Sequence, residues 1–577
     1  MHMVRFFVVG AVAAVVSGCA STSTSNGGGG GVDVSQFPDR SAVAAIAARP
    51  APPVTARGVS LINSWTFLGP FDDAFTDTAL VELTPMETTA ATRFGRERFT
   101  AAGRCVAREL AHVVATRGES PDARFRAHLQ ARCGSVATPG GLAWSTSTQI
   151  KDTADATLQA SGLASALENV DGNWRGDLGV GFARVGDNAV TVVVDLPVEA
   201  RLAPTSRLAQ GGHVDISGVL VDGANAESIW GYVNQGETGV ARCERRAGVL
   251  PRFSFSCPVA DGDVVAGFEL LVQRRGRLLG DGVAMGLFST GTAPGTTWQA
   301  TTWGADAAVP DDGAALADAV LQRTNGIRQG AGLTPLIDDV TQTQTTAKLA
   351  PQYFGHADDR ALMDQIALGA MAGWDLKSPV RDGRFSSMHL TGSKLHELMG
   401  ALLDSPSSRS TLLDAEVGPV AIGAVRHGDD SGLLLTTWVP YTAVAASEVQ
   451  RTVFEALKAE RRRRGHSNGL GEVGMERAVA DASGRLQAGD DPSRVLSSLL
   501  RQTVDTMQRD FQGWSIITTD PDHIAWPEEL LTSKMTYVAV AAGTRLKAGN
   551  PWATTAVLIV AFVEPGMVAD LGTLPAR

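Results

Sequence analysis

The stretch 315–336 reads ALADAVLQRTNGIRQGAGLTPL. Leu316, Val320 and Ile327 fall at spacings of four and seven, which puts them on one face of a helix. Gly330 and Gly332 end that helix, because glycine readily takes the left-handed conformation found just past a helix C-terminus. Further along come Ser405-Pro406-Ser407-Ser408-Arg409, a short helical turn, and then PVAIGAVRHGDDSGLLLTTWVPY over 419–441, a hairpin-like run. Two other segments close in the same way, LGVGFARVGDNAVTVVVDL (178–196) and VAVAAGTRLKAGNPWATTAVLIVAF (538–562). Each hairpin follows roughly 80 to 100 residues of largely helical pattern, a repeat visible only as pattern. The expectation is an α+β chain with up to three α/β units, each burying a helix layer against a sheet face.

Within the middle unit, Asn325, Arg328, Gly332-Leu333, Pro335-Leu336, Ser405-Pro406, Arg409 and Ile422-Gly423 follow one another in a recognisable order. The order resembles that of a bacterial CAP domain (cysteine-rich secretory protein, antigen 5, pathogenesis-related superfamily, also called SCP-like). That resemblance implies an α-β-α sandwich over 312–445. By extension it implies related units over 61–197 and 446–577. In such domains two histidines and two glutamates converge on a cleft that sometimes holds zinc, since neutral imidazoles and carboxylates must meet within coordination distance. Here His356 in YFGHAD matches the first histidine and Glu397 one glutamate. Ser408 stands where the second histidine belongs, and the other glutamate has no equivalent. His389 and His396 are seven apart, two turns on a helix, too far for one metal by themselves. With half the ligand set replaced, the chain is expected to hold no metal and no cofactor there.

Residues 198–305 change character. Runs such as HVDISGVLV, SIWGYVNQG, FSFSCPVA and GFELLVQRRG alternate with Gly, Asp, Asn and Pro turns. This spacing indicates a β-sandwich of immunoglobulin-like architecture.

At the N-terminus Arg5 precedes an apolar run from Phe6 to Val16, too short to span a bilayer but long enough for a signal-peptide core. Val16-Ser17-Gly18-Cys19 resembles a bacterial lipobox. The resemblance implies a signal peptide over 1–18, diacylation of Cys19 and, since Ala20 is not Asp, release to the outer membrane. Residues 19–60 then form a tether, opening with ASTSTSNGGGGG. Setting Cys19 aside leaves Cys105, Cys133, Cys243 and Cys257, an even number suited to an oxidising compartment. Three pairings are open. The simplest is local, Cys105–Cys133 between helices and Cys243–Cys257 between strands. No C-x-x-C pair suggests zinc instead. A net charge of −11 argues against nucleic acid as partner.

Smaller signals complete the reading. Ser120 and Ser493 are expected helix caps, with Pro121 in the first turn. Arg461–Arg464 is expected as a solvated helix end. Gly465-His466-Ser467-Asn468-Gly469 matches the G-x-S-x-G nucleophile elbow, but a charged helix precedes it where the elbow needs a strand. Trp144, Trp174 and Trp230 are candidates for an aromatic platform, although isolated aromatics are usually core. The segment with Trp514, Asp520, Asp522, His523 and Trp526 reads as a turn. The function expected is that of a non-enzymatic, outer-membrane-anchored envelope lipoprotein. It would bind an envelope protein, a glycan or an apolar ligand such as a lipid. The rival is a hydrolase using His356 and Glu397, or Ser467.

Overall fold

Three times along the chain, helices lead into an antiparallel hairpin, and each time the strands take the same order. The structure, a computed structural model, describes residues 40–563 and the short strand Gly18–Ala20. Not described are isolated or paired positions and the stretches 51–58, 76–78, 171–173, 261–264, 275–279, 304–308, 372–379, 467–470, 508–510, 519–523, 532–534 and 547–552. The class is α+β. The chain forms two compact units. The larger takes in residues 1–19, 50–363 and 386–437, and the smaller 20–49, 364–385 and 438–577.

The first α/β region carries α1 (Pro85–Phe94), α2 (Ala101–Arg117), α3 (Ala123–Arg132), β1 (Leu142–Thr148) and α4 (Asp155–Glu168). It closes with the hairpin β2 (Asp177–Val185) and β3 (Asn188–Leu196). Val185 pairs with Asn188, so Gly186-Asp187 is the two-residue turn. The sheet runs β1-β3-β2, and Phe99 adds a parallel bridge to Leu178. Val190, Val192 and Val194 of β3 face α2 and α3, whereas Val193, with Leu178 and Val180 of β2, faces α1 and α4. The period of two thus gives both faces a helix layer.

The sandwich follows: β4 (Ala200–Leu202), β5 (Leu208–Ala209), β6 (His213–Leu220), β7 (Ala226–Gln235), β8 (Gly239–Arg242), β9 (Glu244–Arg245), β10 (Arg252–Pro258), β11 (Ala266–Arg274) and β12 (Asp281–Thr290). One sheet is ordered β9-β10-β6-β4 and the other β8-β7-β11-β12-β5. Both contribute to one core, with Ile216, Phe255, Val233, Phe268 and Phe288 at its centre.

The middle region has α5 (Gly313–Gly330), β13 (Ile337–Asp338), α6 (Val340–Gly355), α7 (Arg360–Met371), β14 (Arg384–Gly392), α8 (Leu395–Asp404), α9 (Pro406–Leu412), β15 (Pro419–His427) and β16 (Asp430–Val439). Its sheet runs from the strand Gly18–Ala20 through β14, β16 and β15 to β13, with β13 parallel to β15. The last region has α10 (Ala446–Arg463), β17 (Gly471–Glu472), α11 (Glu476–Gln487), α12 (Pro492–Met507), β18 (Phe511–Thr518), β19 (Met535–Leu546) and β20 (Ala553–Val563). Its order is β18-β20-β19-β17, again with the short strand parallel to the first hairpin strand. In the first region that short strand is reduced to the bridge at Phe99.

Helix exits repeat too. Gly332 (φ 74°) and Gly465 (φ 85°) take the left-handed conformation. Leu333 N donates to the Arg328 carbonyl five residues back, and His466 N does the same to Arg461. Arg461 is therefore not part of a solvated helix end. It is 2% exposed and donates to the Leu530 carbonyl at 2.5 Å, while Arg463 and Arg464 turn outward to Glu460.

Two expected caps move by two residues. Ser120-Pro121 pairs in parallel with Val59-Ser60, and Asp122 caps α3 by accepting from Phe125 N. Asp491, not Ser493, caps α12, accepting from the amides of Ser493 and Arg494. In both cases a carboxylate lies nearer the helix start and satisfies its orphan amides. The cysteines pair locally. Cys105–Cys133 ties α2 to the end of α3, and Cys243–Cys257 links the β8–β9 corner to β10. No helix among the described residues is long and apolar enough to cross a membrane.

Candidate functional site

Asn325, Arg328, Leu333, Pro335 and Gly423 of the CAP resemblance are built into structure. Arg328 is fully buried and donates to the carbonyls of Thr334, Leu412, Asp414 and Val417. Asn325 holds the strand start, donating to the Leu336 carbonyl and accepting from Leu336 N. Leu333 and Pro335 lie in the intervening turn, and Gly423 packs against α6 at the Thr346 carbonyl.

The turn 405–409 has a different task. Ser405 caps α9, with Pro406 in the first turn. The Ser405 hydroxyl donates to Glu269 Oε2 on β11 at 2.8 Å, joined by the hydroxyl (2.7 Å) and amide (3.2 Å) of Ser407. Arg409 donates to the carbonyls of Leu403, Gly236 and Gly239 and lies over the Trp303 ring. This turn is the joint between the middle region and the sandwich. Burial pushes the Glu269 carboxyl above its ordinary range, and the hydrogen bonds from Ser407 and Ser405 pull the other way.

His356 and Glu397 are not brought together with further ligands. His356 ends α6 with Nδ1 2.9 Å from the Gln352 carbonyl oxygen, and Glu397 is buried in the first turn of α8. Ser408 is buried in α9, while His396 is buried beside Glu397 on α8. His389 Nδ1 is 2.6 Å from the Tyr353 hydroxyl. No group of three or more His, Cys, Asp and Glu could hold a metal among the described residues. Ser467, Asp520, Asp522 and His523 lie outside the described residues. Cys19 lies in the strand Gly18–Ala20. Trp144 and Trp174 pack on two different cores and Trp230 pairs with Leu271 on the sandwich, so they make no common platform.

What the larger unit does contain is a cavity of about 900 Å³. Its floor is the outer face of the five-stranded sheet, where Gly267 pairs with Leu287 and Glu269 with Met285. Its roof is α3. Arg124, His128 and Arg132 recur every four residues and share one helix face, next to Ala123, Ala127 and Ala131. At one end stand Asp404, Pro406 and Arg409 from the joint, with Trp298 and Trp303 along the side.

The wall is fixed by hydrogen bonds. Arg124 pairs with Asp404, donates to the Thr301 carbonyl (2.9 Å) and lies over the Trp298 ring. Trp303 Nε1 donates to Asp404 Oδ1 at 3.1 Å, and Trp298 Nε1 to the Ile62 carbonyl at 2.9 Å. Asn234 Nδ2 donates to the Asp404 carbonyl, whereas its buried Oδ1 has no hydrogen-bond partner. His128 has its ring 4.2 Å from that of Trp298, tilted by 42°, and lines the cavity. Burial first, then the charges of Arg132, Arg207 and Arg124, lower the His128 pKa to about 3. The imidazole is neutral at physiological pH.

Sequence reading missed this site. Its only local signal is TTWQATTW over 296–303, which reads as the tail of the sandwich. In the fold Thr297–Gln299 returns to pair with Ser64–Thr66, and this return sets Trp298 beside α3. No protein-family model matches the chain, and no curated protein matches it either. The fold and cavity define an α+β protein with three like-ordered α/β regions, one β-sandwich and a large mixed-polarity cavity.

Proposed function

We propose that this chain is an envelope lipoprotein that binds a small, largely apolar ligand without transforming it, anchored to the outer membrane through Cys19. The observation that carries the binding reading is the cavity of about 900 Å³. That volume is at the upper end of the roughly 300–1,000 Å³ spanned by small-molecule sites, and its mix of apolar surface with a few placed polar groups is typical of them. Of the partners expected from sequence, an apolar ligand suits a recessed space better than an envelope protein does. The repeated strand order supports reading the three α/β regions as CAP-like units and the two sheets as an immunoglobulin-like module, with common ancestry of the units part of the proposal. The lipobox-like Val16-Ser17-Gly18-Cys19 supports the anchor.

Native mass spectrometry of the chain purified from its own producer tests this. The expected result is a small-molecule adduct that is lost when Met285→Trp fills the floor, and kept in Ser467→Ala and His356→Ala. A bare mass from a folded protein, or an adduct indifferent to Met285→Trp, overturns binding at the cavity. Hydrolytic turnover abolished by Ser467→Ala or His356→Ala would restore the hydrolase.

A further inference from the structure

We infer that Glu269 anchors the ligand in this cavity, its free oxygen Oε1 accepting a hydrogen bond from a hydroxyl or N–H group of the ligand. The inference rests on the binding function proposed for the cavity. It goes beyond that function by naming the residue that holds the ligand and the donor that the ligand must carry.

Glu269 is 2% exposed and lines the cavity. All of its protein hydrogen bonds fall on one oxygen. The hydroxyls of Ser405 (2.8 Å) and Ser407 (2.7 Å) and the Ser407 amide (3.2 Å) donate to Oε2. A carboxylate offers about four lone-pair positions over its two oxygens, so those of Oε1 are left over. Oε1 leans toward Gly282 on β12, where a Cβ would lie 3.3 Å from it. Gly282 lines the cavity too, and without a side chain it leaves that oxygen uncovered from its own strand. Three donors converging on Oε2 favour the charged form of the group, which makes Oε1 an acceptor.

The arginines of the lining do not supply the missing donor, because each is committed elsewhere. Arg124 pairs with Asp404, and Arg274 with Glu199 and Asp281. Arg132 donates to the carbonyls of Gly295 and Gly69, and Arg409 to those of Leu403, Gly236 and Gly239. Tyr232 pairs with Glu269, so Asn234, two residues further along β7, points to the same face of the sheet. Its buried Oδ1 is a further acceptor without a partner. This end of the cavity therefore holds acceptors in excess of donors. A buried acceptor left unmatched is costly, and a ligand that brings a donor removes that cost.

Two measurements test the anchor. In native mass spectrometry Glu269→Gln should lose most of the adduct while keeping the native circular dichroism. The glutamine oxygen takes over the three donors of the turn, and its NH2 group, which accepts nothing, is left for the cavity. Gly282→Ala sets a methyl against Oε1 without touching those three donors, should weaken the adduct as well, and serves if Glu269→Gln does not fold. In calorimetric titration of the full chain carrying Cys19→Ser, octanol should bind about ten-fold tighter than its donor-free isomer heptyl methyl ether, the worth of one hydrogen bond. That preference should vanish in Glu269→Gln. An adduct kept in full by both variants but lost in Met285→Trp overturns the anchor and leaves the binding function standing. Equal binding of octanol and the ether, or binding of neither, overturns the donor. Neither adduct nor binding in any form overturns both the anchor and the binding function.

Discussion

His128 shows how one residue takes its chemistry from its surroundings. Nothing in ARFRAHLQAR distinguishes it from a surface histidine. Packed against Trp298 and facing three arginines, it is held neutral down to about pH 3. The folded pKa lies below the unfolded value near 6.5, so the unfolded chain binds the extra proton between the two. This histidine therefore costs nothing above about pH 6.5 and destabilises the fold increasingly as pH falls toward 3. Glu269 acts in the opposite sense, because its raised carboxyl favours the fold at low pH and loses that favour as pH rises through the folded value. Urea denaturation between pH 7 and 4 should show a shallower loss of stability in His128→Phe than in the native chain. Equal slopes would mean that the imidazole is not held neutral.

At the scale of elements, the recurring feature is a helix laid directly on a glycine of the hairpin. A Cβ on Gly181 would overlap the Ala107 carbonyl of α2, and one on Gly423 the Thr346 carbonyl of α6. These are backbone atoms of packed helices, which cannot step aside as a flexible side chain can. Gly423→Ala should lower stability by roughly 2–3 kcal/mol, the cost of overpacking a tight core. Gly326→Ala on α5, where the space is open, should instead be neutral or stabilising by roughly 0.5–1 kcal/mol. Comparable denaturation midpoints for the two variants would contradict this helix-on-sheet packing. The pairing of the helix exits at Arg328 and Arg461 belongs to the same scale. The first lies in the segment whose glycines mark a helix exit in the sequence. The second was hidden in a run of four arginines, where composition favours a solvated reading and only packing selects the one that turns inward.

For the whole molecule, the joint at Ser405–Arg409 decides how the sandwich and the middle region share one unit. Glu269→Ala would leave two buried serine hydroxyls and an amide without their acceptor, at a cost of about 2 kcal/mol. Glu269→Gln keeps an acceptor of the same shape and should cost much less. Chemical denaturation would check this, and equal losses in the two variants would show that the clasp contributes through charge rather than hydrogen bonding.

The sequence alone determined what is local or periodic: the helix exits at Gly332 and Gly465, the hairpin at Gly186-Asp187 and the two-sheet middle, whereas the choice among the three open cysteine pairings came from the fold. The exits, the hairpin and the two sheets follow from backbone preferences and from spacings of two and of three to four, both written into consecutive residues. Only the tertiary structure decided where the cavity lies, because its walls come from α3, β11, β12, the return at Thr297–Gln299 and the 405–409 turn. These segments are up to some 280 residues apart, as in the Arg124–Asp404 pair. Long-range packing also gave Ser405 and Arg409 their task. A short motif specifies a turn, but the surface it docks against is set by a strand far away in the chain.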